Sequence, residues 1–228
     1  MSEVKYTQLL GGEKIKGGCL YPDDDSVTMQ DIYRKYALMP VQTHSLNVGI
    51  AEHCYDRFPD TDALVTFKRN LPIGVVTADC VPILIYVPDV EGVAAIHAGW
   101  KGTLGGIVDK TLDIFEQHGA SASEMIVAFG PSISMKMYEV DEALAEKFRE
   151  AGFSDYVLYP NGIGAKPHID LQGVNIERLL QRGVKRDNIT PNMDCTYSTV
   201  DADGQPVYQS HRRSNGAPGR NLTMICIR

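Results

Sequence analysis

The sequence predicts an α+β domain, a mixed β-sheet core with flanking helices. Three observations point there. Short, nearly continuous apolar runs recur at Ile73–Ala78, Val81–Val87 and Val93–Ile96, as strands buried on both faces require. Later segments carry apolar residues at helical spacing instead. The length of 228 residues, 43% of them hydrophobic, suffices for one domain with a sizeable core.

Taken in order, Gly11, Gly12, Gly17, Gly18 and the Asp23–Ser26 run read as surface turns. The pattern tightens from Val41 onward into the three strand-like runs. Leu104–His118 follows as an amphipathic helix, with Leu104, Ile107, Val108, Leu112 and Phe115 on one face, Thr103 as its cap and Gly119 as its end. Met125–Phe129 is a further short strand, stopped by Gly130-Pro131. Asp141 caps a helix reaching Ala151, with Leu144, Phe148 and Ala151 facing the core and Gly152 ending it. Asp170 starts a last helix ending at Gly183. Near the C-terminus a Gly/Pro loop lies between two strand-like runs.

A formal net charge of −7 argues against a general nucleic-acid binder, which needs a basic face. A small phosphate-bearing ligand stays compatible, because local Lys or Arg can dominate a pocket. No run is long enough to span a bilayer, since Ile73–Val87 is interrupted by Asp79 and Pro82. The N-terminus lacks the layout of a signal peptide, so the cytoplasm is the expected location. Five scattered cysteines, Cys19, Cys54, Cys80, Cys195 and Cys226, then read as thiols or metal ligands before disulfides.

The densest chemistry sits in TADCVPIL (Thr77–Leu84) and IHAGWKGT (Ile96–Thr103). Each places a reactive side chain beside a buried apolar run, where a sheet could hold Cys80 and His97 rigidly together. Adding His44 from QTHS gives three donors which, with one open position, make a plausible tetrahedral zinc site. A buried structural thiol beside two hydrogen-bonded histidines fits the same residues. The HAGWKGT loop offers backbone N–H groups and Lys101 to an anion, or is an ordinary turn with a solvated lysine. Arg212, Arg213 and Arg220 in SHRRSNGAPGR suit phosphate or carboxylate, or a solvent-facing turn. Trp100 is a packing anchor or a stacking platform for a purine. His211 reads as a loop histidine without catalytic duty, His118 as a helix-end residue and His168 as part of a turn before Asp170.

QTHS, TADCVPIL, HAGWKG, GPSIS with YEV (Gly130–Val140), HIDL (His168–Leu171), DCTYS (Asp194–Ser198) and SHRR with GR occur in that order from about Val41 to the C-terminus. Together they resemble the purine nucleoside phosphorylase family formerly described as multicopper polyphenol oxidases or laccases. The resemblance implies a fold similar to a cysteine-hydrolase-like toxin domain, with His44, Cys80 and His97 as zinc ligands. It implies phosphorolysis of adenosine, inosine, guanosine and methylthioadenosine, together with adenosine deamination. The partners are then a purine nucleoside and phosphate, without nucleic acid or membrane, for a monomer or homodimer. Residues 1–228 form a single domain, a divergent segment 1–40 and a family-like core 41–228. An Arg-Gly-Gly segment and an Asn-Arg pair that precede the first histidine motif in relatives are missing here. Lys101, Arg212 and Arg213 are candidates for phosphate or substrate binding, and Asp79, beside Cys80, for the general acid. The alternatives are copper-dependent phenol oxidation, a hydrolase with Cys80 as nucleophile and His97 as base, and a non-catalytic binding paralogue.

Overall fold

A computed structural model describes residues 4–22, 37–162, 164–217 and 219–228; the Asp23–Ser26 run lies outside them. Among these described residues twelve strands and four α-helices follow in order, beginning with β1 (Val4–Gly11), β2 (Ile15–Pro22), β3 (Val48–Ile50) and β4 (Ala63–Thr66). Next come β5 (Ile73–Thr77), β6 (Val81–Val87), β7 (Gly92–Ala98), α1 (Trp100–Gly105), α2 (Ile107–Gln117) and β8 (Ile126–Phe129). The chain continues through α3 (Glu142–Glu150), β9 (Val157–Leu158), β10 (His168–Ile169), α4 (Leu171–Gln181), β11 (Ile189–Thr190) and β12 (Asn221–Ile227).

A six-stranded sheet in the order β11-β8-β6-β7-β4-β3 forms the centre, parallel at both edges and antiparallel within. Its strands alternate between two cores. Val65, Ile83, Ile85, Ala94 and Ile96 meet Ile107, Leu112 and Phe115 of α2 and Val174 and Leu179 of α4. Leu64, Leu84, Val93 and Ala95 meet Ile73 and Val75 of β5 and Ile225 and Ile227 of β12 on the other face. That second layer is an antiparallel sheet, β1-β2-β12-β5. Burial on both faces is why these runs lack a polar alternation. The expected mixed sheet with flanking helices is therefore present, with a second sheet stacked on it.

Several expected elements differ. Gly11, Gly17 and Gly18 lie in strands rather than turns, and only Gly12 sits in the hairpin turn, its N–H donating to Ile15 O at 3.1 Å. At Gly17 a Cβ would stand 3.1 Å from Leu84 Cδ1, so the glycine marks close contact between the two sheets. The helix expected over Leu104–His118 begins earlier and is broken: α1 starts at Trp100, directly after Gly99, and Gly106 at φ 75° separates it from α2. Thr103 is consequently inside α1, not a cap; its buried hydroxyl accepts from Asn175 Nδ2 at 2.9 Å. In α3 the Asp141 cap is as expected, accepting from Leu144 N at 2.7 Å, but Ala145 rather than exposed Ala151 joins Phe148 in the core. Asp170 caps α4 through Gly173 N. The stretch before the arginine loop forms an isolated Val200–Pro206 bridge, not a strand.

Candidate metal centre

Three chain segments meet at one end of the central sheet. Strands β6 and β7 are antiparallel with Pro82 opposite His97, so the chain entering β6 and the chain leaving β7 lie side by side. Cys80 stands one residue before β6, at the end of a tight turn in which Asp79 adopts φ 86°. His97 is the penultimate residue of β7. His44 arrives on the loop before β3, itself in the left-handed region at φ 61°. Left-handed backbone is uncommon for such residues and is held here by surrounding bonds. Gln42 supplies two of them: its amide donates to Val76 O and accepts from Val76 N, both at 2.8 Å, pairing with β5 as a strand would.

The donor atoms of His44, Cys80 and His97 all lie within 4.8 Å of one another. Cys80 Sγ is 3.7 Å from His44 Nε2. Sulfur and nitrogen ligands on a tetrahedral zinc stand about 3.6 Å apart, so the observed spacing suits a metal ion. The two imidazoles meet edge to face, centroids 4.8 Å apart. Gly99 leaves the space: a Cβ there would stand 2.7 Å from His44 Cδ2 and 3.1 Å from Cys80 Sγ. The set therefore fits a thiophilic or borderline metal with nitrogen and sulfur ligands.

Burial pushes the Cys80 thiol up, but hydrogen bonds with His44 and His97 outweigh it and bring the pKa down to about 6. Burial pushes His97 the other way, yet its bonds to Asp62 and Cys80 raise it to about 9. Asp62, fully buried, accepts at 2.7 Å from His97 Nδ1. It also receives the backbone N–H groups of Thr43 (3.1 Å), His44 (3.0 Å) and Ser45 (2.7 Å), and the Ser45 hydroxyl (2.8 Å). Against its burial, these donors hold the carboxyl well below the usual range.

The donors open on a cavity of about 500 Å³. Trp100 and Tyr138 contribute its aromatic wall, and Arg212, Arg220 and His211 stand on the side of the C-terminal loop. The remaining candidates separate. Arg212 lines the cavity, its guanidinium 5.6 Å from the Tyr138 ring centroid. Arg213 does not line it; its guanidinium donates to the carbonyls of Thr196, Tyr197 and Tyr208 and so ties the loop to the body of the protein. Lys101 is exposed and absent from the lining, with Nζ 5.6 Å from the Trp100 ring centroid. Asp79 lines the cavity, but Oδ1 accepts from Thr196 Oγ1 (2.7 Å) and Oδ2 from Arg212 N (2.6 Å). His118 ends α2 with Nδ1 bonded to Ile114 O, and His168 is buried against Met135 O; neither reaches the cavity. His211, read as a bystander, lines it.

Asp62 and Gln42 have no role assigned from the sequence, whereas Arg220, named there with Arg212 and Arg213 as suited to phosphate or carboxylate, lines the cavity. Asp62 carried a usable signal, a polar residue directly before the buried run Ala63–Thr66, as Cys80 stands before its own strand. Gln42 carried none, because a glutamine that replaces a strand partner looks like any loop glutamine.

Residues 26–228 match the family described as multi-copper polyphenol oxidoreductase laccase. The chain belongs to that family. Its relatives there include an adenosine deaminase, RL5, from an unknown prokaryotic organism, 32% identical over 78% of this chain and 76% of that protein. A purine nucleoside phosphorylase of Bacteroides thetaiotaomicron is 33% identical over 83% of this chain and 73% of its own. Another, of Deinococcus radiodurans, is 36% identical over 81% and 67%. In fold, the Bacillus licheniformis protein YfiH superposes with a TM-score of 0.81 at 23% identity, covering 94% of this chain and 93% of that one. Neisseria meningitidis NMB0706 gives 0.80 at 23%, covering 97% and 98%. The chain thus matches both the laccase-named family and relatives named as phosphorylase and deaminase, so the resemblance read from the motifs holds at the level of the family. Among the described residues no helix is long and apolar enough to cross a membrane.

Proposed function

We propose that the chain is a zinc-dependent purine nucleoside phosphorylase, with adenosine deamination as a second activity of the same site. One observation carries the reading: a His44–Cys80–His97 donor set with an open side facing a cavity of about 500 Å³ that also presents Arg212 and Arg220. That volume lies in the roughly 300–1,000 Å³ range of small-molecule sites. The relatives named as phosphorylases and deaminase give the chemical class.

In phosphorolysis a phosphate oxygen bonds to the anomeric carbon of ribose while the bond from that carbon to the purine nitrogen breaks. The base leaves with the electron pair and takes up a proton. Arg212 and Arg220 hold phosphate by charge-assisted bonds, and Trp100 and Tyr138 offer faces to the base. Tyr138, whose phenol burial pushes above its ordinary value, stays protonated and donates. Asp79 holds the Arg212 backbone against the Cys80 turn and is better placed to set that geometry than to give up a proton. His44, Cys80 and His97 would hold a zinc ion, which when bound would supply Lewis acidity.

The donor census disfavours multicopper oxidation. A multicopper centre needs several histidine clusters, and the six histidines of the chain yield one such group among the described residues. A metal-free hydrolase acting through Cys80 and His97 predicts activity without bound metal.

The test uses protein of known zinc content, incubated with adenosine or inosine with and without phosphate, following free base, ribose 1-phosphate and ammonia. Base release that requires phosphate, and that falls at least a hundredfold in Cys80→Ala and His44→Ala, is expected. Parent-like release from those variants removes the site, and ammonia without free base leaves deamination alone.

A further inference from the structure

Five hydrogen-bond donors around the two histidine ligands converge on one carboxylate. Asp62 is fully buried directly before β4, the strand next to β7 in the sheet. Its Oδ1 receives His97 Nδ1 and the His44 amide; its Oδ2 receives the Thr43 and Ser45 amides and the Ser45 hydroxyl. Three consecutive backbone N–H groups wrapped around an anion form a nest. This one is centred on His44, the residue in the left-handed conformation.

We propose that Asp62 is the positioning residue of the metal centre, a carboxylate that orients both histidine ligands at once, one through its ring and one through its backbone. An ionised carboxylate only accepts, so the His97 proton is fixed on Nδ1 and the Nε2 lone pair is left for the ion. The same charge folds residues 43–45 into the turn that brings His44 to within 3.7 Å of Cys80. His44 lies in a loop with no regular element to aim it, and β7 fixes the backbone of His97 while the Asp62 bond fixes its ring. The inference rests on the metal reading above and is independent of which reaction the metal serves.

The discriminating variant is Asp62→Asn, which keeps the shape and replaces one acceptor oxygen by an NH2. Whichever way the amide lies, it meets N–H donors head-on, either His97 and His44 or Thr43 and Ser45. Zinc affinity, measured by competition with a chromogenic chelator, is expected to fall 10- to 100-fold. Ser45→Ala, which removes one hydroxyl and keeps the nest, is expected to stay within about threefold of the parent. Cobalt(II) in place of zinc reads the same site by its thiolate charge-transfer band, and Asp62→Asn should need correspondingly more cobalt to develop it. A readout on the unmodified protein covers the case in which Asp62→Asn fails to fold. Nitrogen-15 NMR of the zinc-loaded parent should place the His97 proton on Nδ1. A proton on Nε2, or an Asp62→Asn variant that binds zinc as the parent does, overturns the proposal. Loss of zinc affinity in Asp62→Asn from a parent that releases no base would sink the phosphorylase reading and leave the role of Asp62 standing. A parent that binds no zinc would sink both.

Discussion

At the residue scale the chemistry depends on one thiol being far more acidic than its neighbours. Burial, helped by the charge of Asp194, pushes Cys19 up to about 12 against a hydrogen bond with Thr223, whereas the two imidazoles beside Cys80 overcome its burial and hold it at about 6. Near neutral pH the first is a thiol and the second largely a thiolate. Iodoacetamide should therefore modify Cys80 in metal-stripped protein at least tenfold faster than Cys19, with zinc protecting Cys80, as peptide mass spectrometry would reveal. Equal rates, or no protection, contradict the site. The sign for metal binding follows: a ligand that ionises at about 6 competes with protons below that value. Zinc affinity should thus weaken steeply on acidification through it, and should go on rising above it until about 9, where His97 gives up the proton that zinc must otherwise displace. Gly99 is the steric counterpart. Gly99→Ala would drive a methyl against His44 and Cys80, and we expect zinc affinity to drop by at least tenfold with little change in folding. The His44, Cys80 and His97 candidates were legible because each is a reactive side chain flanked by a recognisable pattern. Asp79 and Arg213 drew attention for the same reason, but a sequence does not reveal that their polar atoms are committed to Thr196, Arg212 and nearby carbonyls.

The helices supply the scale at which the cavity wall is built. Breaking one expected helix into α1 and α2 leaves carbonyls at the end of α1 without helical partners. Arg178 of α4 takes two of them, donating to Thr103 O at 2.9 Å and Leu104 O at 2.7 Å, and pairs with Asp109 of α2 at 2.6 Å. One side chain thereby ties three helices, including the one that starts at the cavity residue Trp100. Arg178→Met should cost about 2 kcal/mol in urea unfolding, since it strands part-buried acceptors. An unchanged midpoint would mean that water satisfies them equally well. Gly106→Ala would place a non-glycine residue at φ 75° with its Cβ 2.5 Å from Asp109 Oδ2. The backbone conformation alone costs about 1–2 kcal/mol, and the displaced ion pair adds to that. Apolar periodicity ran continuously through Gly106, so spacing could not expose the break. α1 ends at the left-handed Gly106, and the carbonyls there are taken up by a side chain more than seventy positions away.

For the whole molecule, a bound ion would join the His44 loop, the turn before β6 and the end of β7, three segments distant in sequence. Binding to the folded chain alone adds about 2.7 kcal/mol at a hundredfold excess of zinc over its dissociation constant. Stripping the metal should lower the melting temperature and restoring zinc should recover it; a melting curve indifferent to chelator would argue against a tight site. The amino-acid sequence by itself determined the mixed α/β class, the central strands and the choice of three candidate donors. These follow from local pattern: apolar runs, caps such as Asp141 and Asp170, and motifs in fixed order. The tertiary structure alone decided the second sheet, in which Gly17 and Gly18 of β2 pair with β12 from the far end of the chain. It alone decided that Arg212 and Arg220 face the cavity while Arg213 does not, and that Asp62 gathers five donors. The physical reason is common to all of these. A strand partner, a buried hydrogen bond or a cavity wall is fixed by residues brought together from remote parts of the chain, and nothing in a local stretch records which ones they will be.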